Sequence, residues 1–483
     1  MLPRLTDATL TQVKVASLPG YDRSATKIGI VHFGPGAFHR AHQASYVDAL
    51  LHHDPRWAIS AIALKSTGVR DALAPQDGLY VLNELSVQSR MRVIGAIREL
   101  MVASENHEQV FGRLSAPDTR MVTMTVTEKG YCLDPSGTLD LNHPDIVHDL
   151  QTPAAPRSLV GVLAEGLRRR RTLGLEPFAV VSCDNLANNG TLLRKAVATF
   201  AAHSDAGLGR WIETEVAFPR TMVDSITPAT DDALRERVAK VTGVEDAWPI
   251  KREDFMQWVI EDVPSMREAD WASVGVTLAS DVSVYDRAKL RLLNGAHSTL
   301  AYAGSLRGHE TVFDAMSDAS LATFVEKLMR EDLAASLGPS PGLDVTSYIS
   351  ALLARFRNPT IRHLLAQIAW DGSKKLPVRL ITTIAEALQT GRPVNRLAVT
   401  LAAWMRFVAR QSKNGVAIVD PDAEKLSGVG RACNGDAAHD VQLFIDLDTV
   451  IPRALGNEPK LHSALERAYI ALENQQPGSP ISV

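Results

Sequence analysis

Ile28-Gly-Ile-Val-His-Phe33 runs straight into Gly34-Pro-Gly36, and Ala37-Phe-His-Arg-Ala-His42 follows. The first piece is a short, nearly continuous apolar run and reads as a strand. The second is a tight turn, and the third opens a helix. A strand, a glycine turn and a helix in that order form the local plan of a dinucleotide-binding unit. Glycine lets backbone N–H groups approach a pyrophosphate, and the helix start adds partial positive charge. Gly34, Gly36, Ala37, Phe38, His39 and Arg40 are therefore the expected cofactor contacts. The usual fingerprint has a third small residue where this chain has His39, so an ordinary turn is the competing reading.

Working outward, residues 57–64, 80–85, 92–95, 121–127 and 178–182 read as further strands, with 80–85 and 92–95 paired as a hairpin. Amphipathic segments at 41–52 and 159–171 lie between them. Strands alternating with helices predict a mostly parallel sheet covered on both faces. From about residue 285 the β-branched runs become scarce. Helical periodicity takes over at 288–303, 321–337, 346–356, 377–388 and 396–410. The expected fold class is α/β: a Rossmann-type dinucleotide-binding domain over 1–283, then a mostly α-helical domain over 284–483.

Composition narrows the function. The 483 residues carry a net charge of −4, with 45% hydrophobic and 22% charged residues. No basic run marks a nucleic-acid or membrane-surface protein. The three cysteines, Cys132, Cys183 and Cys433, are too far apart for a CxxC metal site or a disulfide framework. Residues 1–15 lack a signal-peptide core, and no apolar run is long enough to span a membrane. A cytoplasmic protein acting on a small molecule is expected, with neither membrane nor nucleic acid as partner. The oligomeric state is left open, a monomer included.

No carboxylate follows the second strand, where a ribose 2′-hydroxyl would be held. Lys65, with Ser66 and Thr67, could meet a 2′-phosphate instead, which keeps NADP beside NAD. A solvated loop lysine is the equal alternative. In the second half, Lys289-Leu-Arg-Leu-Leu-Asn294-Gly-Ala-His297 falls on an expected helix. At helical spacing Asn294 lies roughly 140° and His297 roughly 80° round from Lys289, one broad face shared with Leu293 and Ala296. Buried charge is costly without a purpose. Oxidation of an alcohol supplies one: a lysine can take the hydroxyl proton and an amide can steady the developing alkoxide. A snorkelling lysine beside a satisfied core histidine is the competing reading. Ser182-Cys-Asp-Asn185 ends a strand, which puts Asn185 where α/β sheets bind ligands, or makes it a cap on the next helix.

Seven collinear segments together resemble the polyol-specific long-chain dehydrogenase family, which includes mannitol and mannonate oxidoreductases. They are Gly34 to Gln43, Thr125-Val-Thr-Glu-Lys-Gly-Tyr131, Ser182 to Asn185, Met222-Val-Asp-Ser-Ile-Thr-Pro228, Gln257-Trp-Val-Ile-Glu-Asp262, Lys289 to His297, and Asp371-Gly-Ser-Lys-Lys-Leu-Pro377. The resemblance implies that Lys289 is the general base, that Asn185 and Asn294 polarise the reacting oxygen, and that His297 binds substrate. It implies substrate contact by Lys375, a cleft position for Asp224, and a place in the proton path for Asp286. It also implies NAD as cofactor and no metal. Ser225 stands where the family usually has arginine, and Gln367 stands where the polyol enzymes carry one. The stretches at 128–132 and 362–379 look more like the mannonate oxidoreductase branch. A carboxylated substrate would want a cation, and Arg362, Lys374, Lys375 or Arg379 could supply it. The expected function is reversible hydride transfer between NAD(H) and an open-chain sugar acid, as in fructuronate reductases. The alternatives are a polyol 2-dehydrogenase and a dinucleotide-binding sensor without turnover.

Overall fold

Strand β1, Ile28–Phe33, is buried at every position after its first residue. Its alternate side chains enter two different cores. Val31 and Phe33 pack with one, and Ile30 packs with the other. A strand sealed on both faces needs apolar residues at odd and even positions alike, which is why β1 reads as a continuous run. The computed structural model describes residues 2–86, 88–473 and 475–481. The chain divides into two compact units, Met1–Ser283 and Val284–Val483.

The first unit holds β1 with β2 (Ala58–Ala63), β3 (Tyr80–Leu85), β4 (Arg90–Ile94), β5 (Ile97–Val102), β6 (Met121–Met124), β7 (Ala179–Ser182), β8 (Thr221–Asp224), β9 (Ile250–Glu253), β10 (Gln257–Glu261) and β11 (Thr277–Ala279). Five strands form an all-parallel sheet in the order β5-β2-β1-β6-β7. The expected hairpin is present as antiparallel β3–β4, and β9 joins β3 in parallel. A third sheet, β11-β10-β8, completes the unit. Helices Leu159–Thr172 and Asn189–Ser204 cover one face of the five-stranded sheet through Leu163, Leu167, Leu193 and Val197. The other face meets helix Gln43–Leu50 and a cluster of Trp57, Trp258 and Trp271. Each fully buried Val, Ile or Leu contributes about 1.5–3 kcal/mol, so the two cores hold the strand ends firmly.

The second unit is helical. Its central helix, Gly295–Leu306, is buried from Gly295 through Gly304. Helix Asn395–Lys413 packs along it, and a buried hydroxyl pair, Thr299 and Thr400, joins the two at 2.8 Å. Gly304 lets Leu365 approach, because a Cβ there would lie 2.8 Å from its side chain. Among the described residues three stretches are π-helical: Lys289–Asn294, Leu328–Leu333 and Pro377–Ile381. The first packs against both of the others. Among the described residues no helix is long and apolar enough to cross a membrane.

Candidate functional site

The first unit's candidate site lies beyond the carboxyl ends of β1, β6 and β7. The chain runs from β1 outward to β2 and β5 on one side and to β6 and β7 on the other. The break between β1 and β6 is the switch point at which open α/β sheets bind ligands. Gly34 sits there with φ +84°, and a Cβ would lie 2.3 Å from the Thr125 carbonyl oxygen. Its N–H donates to Ile62 at 2.9 Å, which fixes the turn to β2. Gly36 plays the other part: it is exposed, and a Cβ would meet nothing closer than 3.8 Å. One glycine lets strand ends approach, while the next leaves backbone bare for a ligand. This cradle fits a dinucleotide phosphate. Ala37 and Phe38 begin the helix after it and are half-buried.

His39 and Arg40 point away from open space. The His39 ring is buried and stacks on His32 at 3.3 Å. Arg40 is buried, donates to the Trp248 carbonyl at 2.7 Å, and lies over the Tyr80 and Trp248 rings. Its cation serves this packing. The sequence reading passed over His32, whose strand position reads as core. Its Nδ1 pairs with Thr123 at 2.7 Å, and its Nε2 lies 3.1 Å from Thr125 Oγ1 and 3.3 Å from the Gly34 carbonyl. Burial drives its pKa down to about 3, so it is neutral. It ties the glycine turn to the end of β6.

Asn185 is exposed just past β7, and the N-cap position of the next helix falls to Asn188 rather than to Asn185, with no side-chain cap bond. Its neighbour Asp184 organises the surroundings. The Asp184 carboxylate accepts from Val126 N–H at 3.3 Å, Thr127 N–H at 2.8 Å and the Tyr131 hydroxyl at 2.9 Å. Thr127 is held at φ +66°, in the left-handed region. Burial pushes the Asp184 carboxyl upward. The Thr125–Tyr131 and Ser182–Asn185 segments are thus one hydrogen-bonded assembly. Asp224 is buried at the end of β8, opposite Gln257 of β10. Lys65 is exposed beyond β2 and pairs with Asp145 at 3.2 Å. With His107, His148 and Arg157 it lines a cavity of 260 Å³.

In the second unit the expected regular helix is corrected. Ser283–Ala288 is α-helical, Lys289–Asn294 is a π-helical turn, and the α-helix resumes at Gly295. In a π-helix the hydrogen bond runs from i to i+5. Residues i and i+5 then stack as i and i+4 do in an α-helix. Lys289 and Asn294 therefore line up more closely than the 140° of regular spacing allows. His297 follows Asn294 at i+3 on the resumed α-helix, again a neighbour. Asp286 precedes Lys289 by three residues and is half-buried, as are Lys289 and Asn294.

His297 is buried, edge-on to His363 at 5.0 Å and against Phe356 at 4.9 Å. Burial first, then the nearby His363, Arg355 and Arg379, hold its pKa well below the usual value. It is a neutral hydrogen-bonding group. Arg379 lies on the π-helical turn Pro377–Ile381, and its Nη1 donates to Ser298 Oγ at 3.2 Å. Burial lowers its pKa, though a guanidinium remains charged. Lys375 is half-buried, and burial with the neighbouring Arg379 lowers its pKa as well. The Asp371–Leu376 segment is pinned by Asp420, which accepts from Ser373 N–H at 2.8 Å and from its hydroxyl. Gly372 permits this, since a Cβ would lie 2.6 Å from the Tyr302 hydroxyl. Arg362 stands apart, exposed and paired with Glu310 at 3.2 Å, and Lys374 is exposed beside Asp422. Sequence reasoning missed His363, Arg355 and Asp420, which reach the site from distant parts of the chain and carry no local motif. Among the described residues no group of three His, Cys, Asp or Glu side chains could hold a metal ion.

Two family models match, the mannitol dehydrogenase Rossmann domain over residues 28–277 and the mannitol dehydrogenase C-terminal domain over 281–473. The chain belongs to the mannitol dehydrogenase family and is an NAD-dependent oxidoreductase acting on CH–OH groups. D-mannonate oxidoreductase of Escherichia coli K12 is 38% identical over 93% of this chain and 94% of its own. Mannitol 2-dehydrogenase of Phaeosphaeria nodorum is 38% identical over 88% of this chain and 76% of its own. The structure of Pseudomonas fluorescens mannitol 2-dehydrogenase with NAD and D-mannitol matches at a TM-score of 0.77 and 38% identity, covering 98% of this chain and 97% of that one.

Proposed function

We propose that this chain interconverts D-mannonate and D-fructuronate with NAD(H), with Lys289 as the general base. One observation carries the choice of a sugar acid. Of the four candidate cations for a carboxylate, Arg379 is the one hydrogen-bonded to Ser298, the residue next to His297. Arg362 and Lys374 are exposed and paired with carboxylates of their own. In this reading Arg379 meets the substrate carboxylate with its planar fork, and Lys375 adds charge beside it.

The nicotinamide cofactor, when bound, accepts the hydride from the carbinol carbon. Gly36 would offer its phosphates bare backbone, with Gly34 holding the turn and Ala37 and Phe38 flanking it. Lys289 as a neutral amine takes the hydroxyl proton as the carbonyl forms. Asp286, three residues earlier on the same face, passes that proton onward. Asn294 donates an amide N–H bond to the oxygen as negative charge builds on it. His297, kept neutral, binds a substrate hydroxyl without competing for the proton.

The test follows NADH absorbance with D-fructuronate and, in parallel, with D-fructose, with NADPH as the second cofactor. Fast oxidation with fructuronate alone supports the proposal. Fast oxidation with fructose instead assigns the chain to mannitol 2-dehydrogenase chemistry, which the relatives of that name also favour. Equal use of NADPH would give Lys65 the 2′-phosphate.

A further inference from the structure

We propose that the second unit carries another binding site, apart from Lys289, Asn294 and His297, for a small organic polyanion bearing phosphate or carboxylate groups. A cavity of 360 Å³ is lined by Leu306, Arg406, Arg410, Lys413, Tyr469 and Gln475, among others. That volume falls in the range of small-molecule sites, about 300–1,000 Å³. The three cations come from one helix, Asn395–Lys413, at positions i, i+4 and i+7, so they share a face.

Two of them are anchored. Arg406 gives Nε to the Tyr469 carbonyl and lies over the Tyr469 ring at 4.1 Å. Arg410 gives Nη1 to the Leu306 carbonyl at 3.0 Å. A guanidinium has five N–H donors, so each keeps a fork for a ligand while its plane is set in advance. Lys413 is exposed at the helix end and adds a mobile point charge.

One carboxylate, Asp440, also lines the cavity. It is fully buried and already accepts from Asn434 N–H, Gly435 N–H, the Tyr469 hydroxyl and His439. Its charge is met by its own donors, which leaves an excess of positive charge facing the cavity. The negative end of the helix explains cations at Arg410 and Lys413. It explains neither the cavity nor Arg406, a full turn earlier. The limited volume favours a compact ligand. Leu306 ends the helix that begins beside Asn294, about 14 Å along the axis from His297, so the cavity and the catalytic residues are well separated.

The experiment is calorimetric titration of the full chain, saturated with NADH, with D-glucose 6-phosphate, citrate and inorganic phosphate as titrants. The expected result is saturable binding of the sugar phosphate, of citrate, or of both, tighter than inorganic phosphate. Whichever binds names the charged group. Binding should weaken at least about tenfold in Arg410→Ala/Lys413→Ala and stay unchanged in Arg379→Gln. Lys413→Glu, a single change at an exposed position, serves if the double variant does not fold. No saturable binding, binding unaltered by the Arg410 and Lys413 changes, or binding abolished by Arg379→Gln overturns the proposal.

Discussion

Arg379→Gln separates recognition of a sugar acid from a general role in folding. The side chain becomes two atoms shorter and loses its charge and its fork. Arg379 is held by Ser298 at 3.2 Å beside the buried His297. Hydrogen bonds to charged groups contribute about 1.5–3 kcal/mol. A lost carboxylate contact should then lower kcat/KM for D-fructuronate about 10- to 150-fold. D-fructose has the same chain and no carboxylate, so its kcat/KM should fall by a clearly smaller factor, that of the lost Ser298 contact alone. Arg379→Lys should recover part of the fructuronate activity, since it restores charge without the bidentate geometry. The assay is initial NADH oxidation with both ketoses on one enzyme preparation. A proportionate loss on the two substrates would refute the reasoning, because it would mean that Arg379 only shapes the site.

Lys289→Ala should reduce kcat by about 10²–10⁴ with NADH affinity unchanged in a fluorescence titration; near-normal turnover would remove Lys289 from its role. Gly34→Ala should weaken NADH binding and lower the melting temperature, because a left-handed φ costs about 1–2 kcal/mol and the new Cβ meets the Thr125 carbonyl at 2.3 Å. Its retention of wild-type affinity and melting would show that the turn adapts. His32 titrates at about 3 when folded and near 6.5 when unfolded. The unfolded chain therefore binds the extra proton between those values, and the stabilisation is complete above pH 6.5 and lost as pH falls toward 3. Denaturant unfolding across this range should show a shallower pH dependence in His32→Gln; an unchanged slope would contradict the assignment.

The parallel sheet was legible because its middle strands are apolar on both faces. Residues 28–33 carry the same bounds in sequence and structure. Strand β9, Ile250-Lys-Arg-Glu253, was not legible, because Arg252 and Glu253 are buried charges that read as surface. Arg252 is satisfied by Glu84 of β3 at 2.7 Å, a partner far away in the chain. The second half read correctly as helical, yet periodicity assumes a constant angle per residue and cannot register a local change of helix type. The same limit hid the site's framework. Lys289, Asn294 and His297 stand in one short motif, whereas His363, Asp420 and Arg355 meet the site only through tertiary packing. Arg40 shows the converse: its place in a glycine-turn motif suggests a ligand, and its surroundings are Tyr80, Trp248 and the buried Asp246.

The π-helical turn at Lys289–Asn294 holds one residue more than an α-helix needs to bring the same two polar groups into line. Removing any one residue between Lys289 and Asn294 would leave both polar groups in the chain. The helix before the cut would stay in phase with the helix after it, because the two groups, now four residues apart, stack in a regular helix as they stack five apart in the wide turn. Closing the wide turn into a regular helix would exchange i→i+5 bonds for the better i→i+4 geometry. Such a chain should melt higher with the two polar groups still in line. Surface loops absorb length changes cheaply. The wide turn gives this helix a comparable allowance at one place, because it already holds one residue beyond what a regular turn needs.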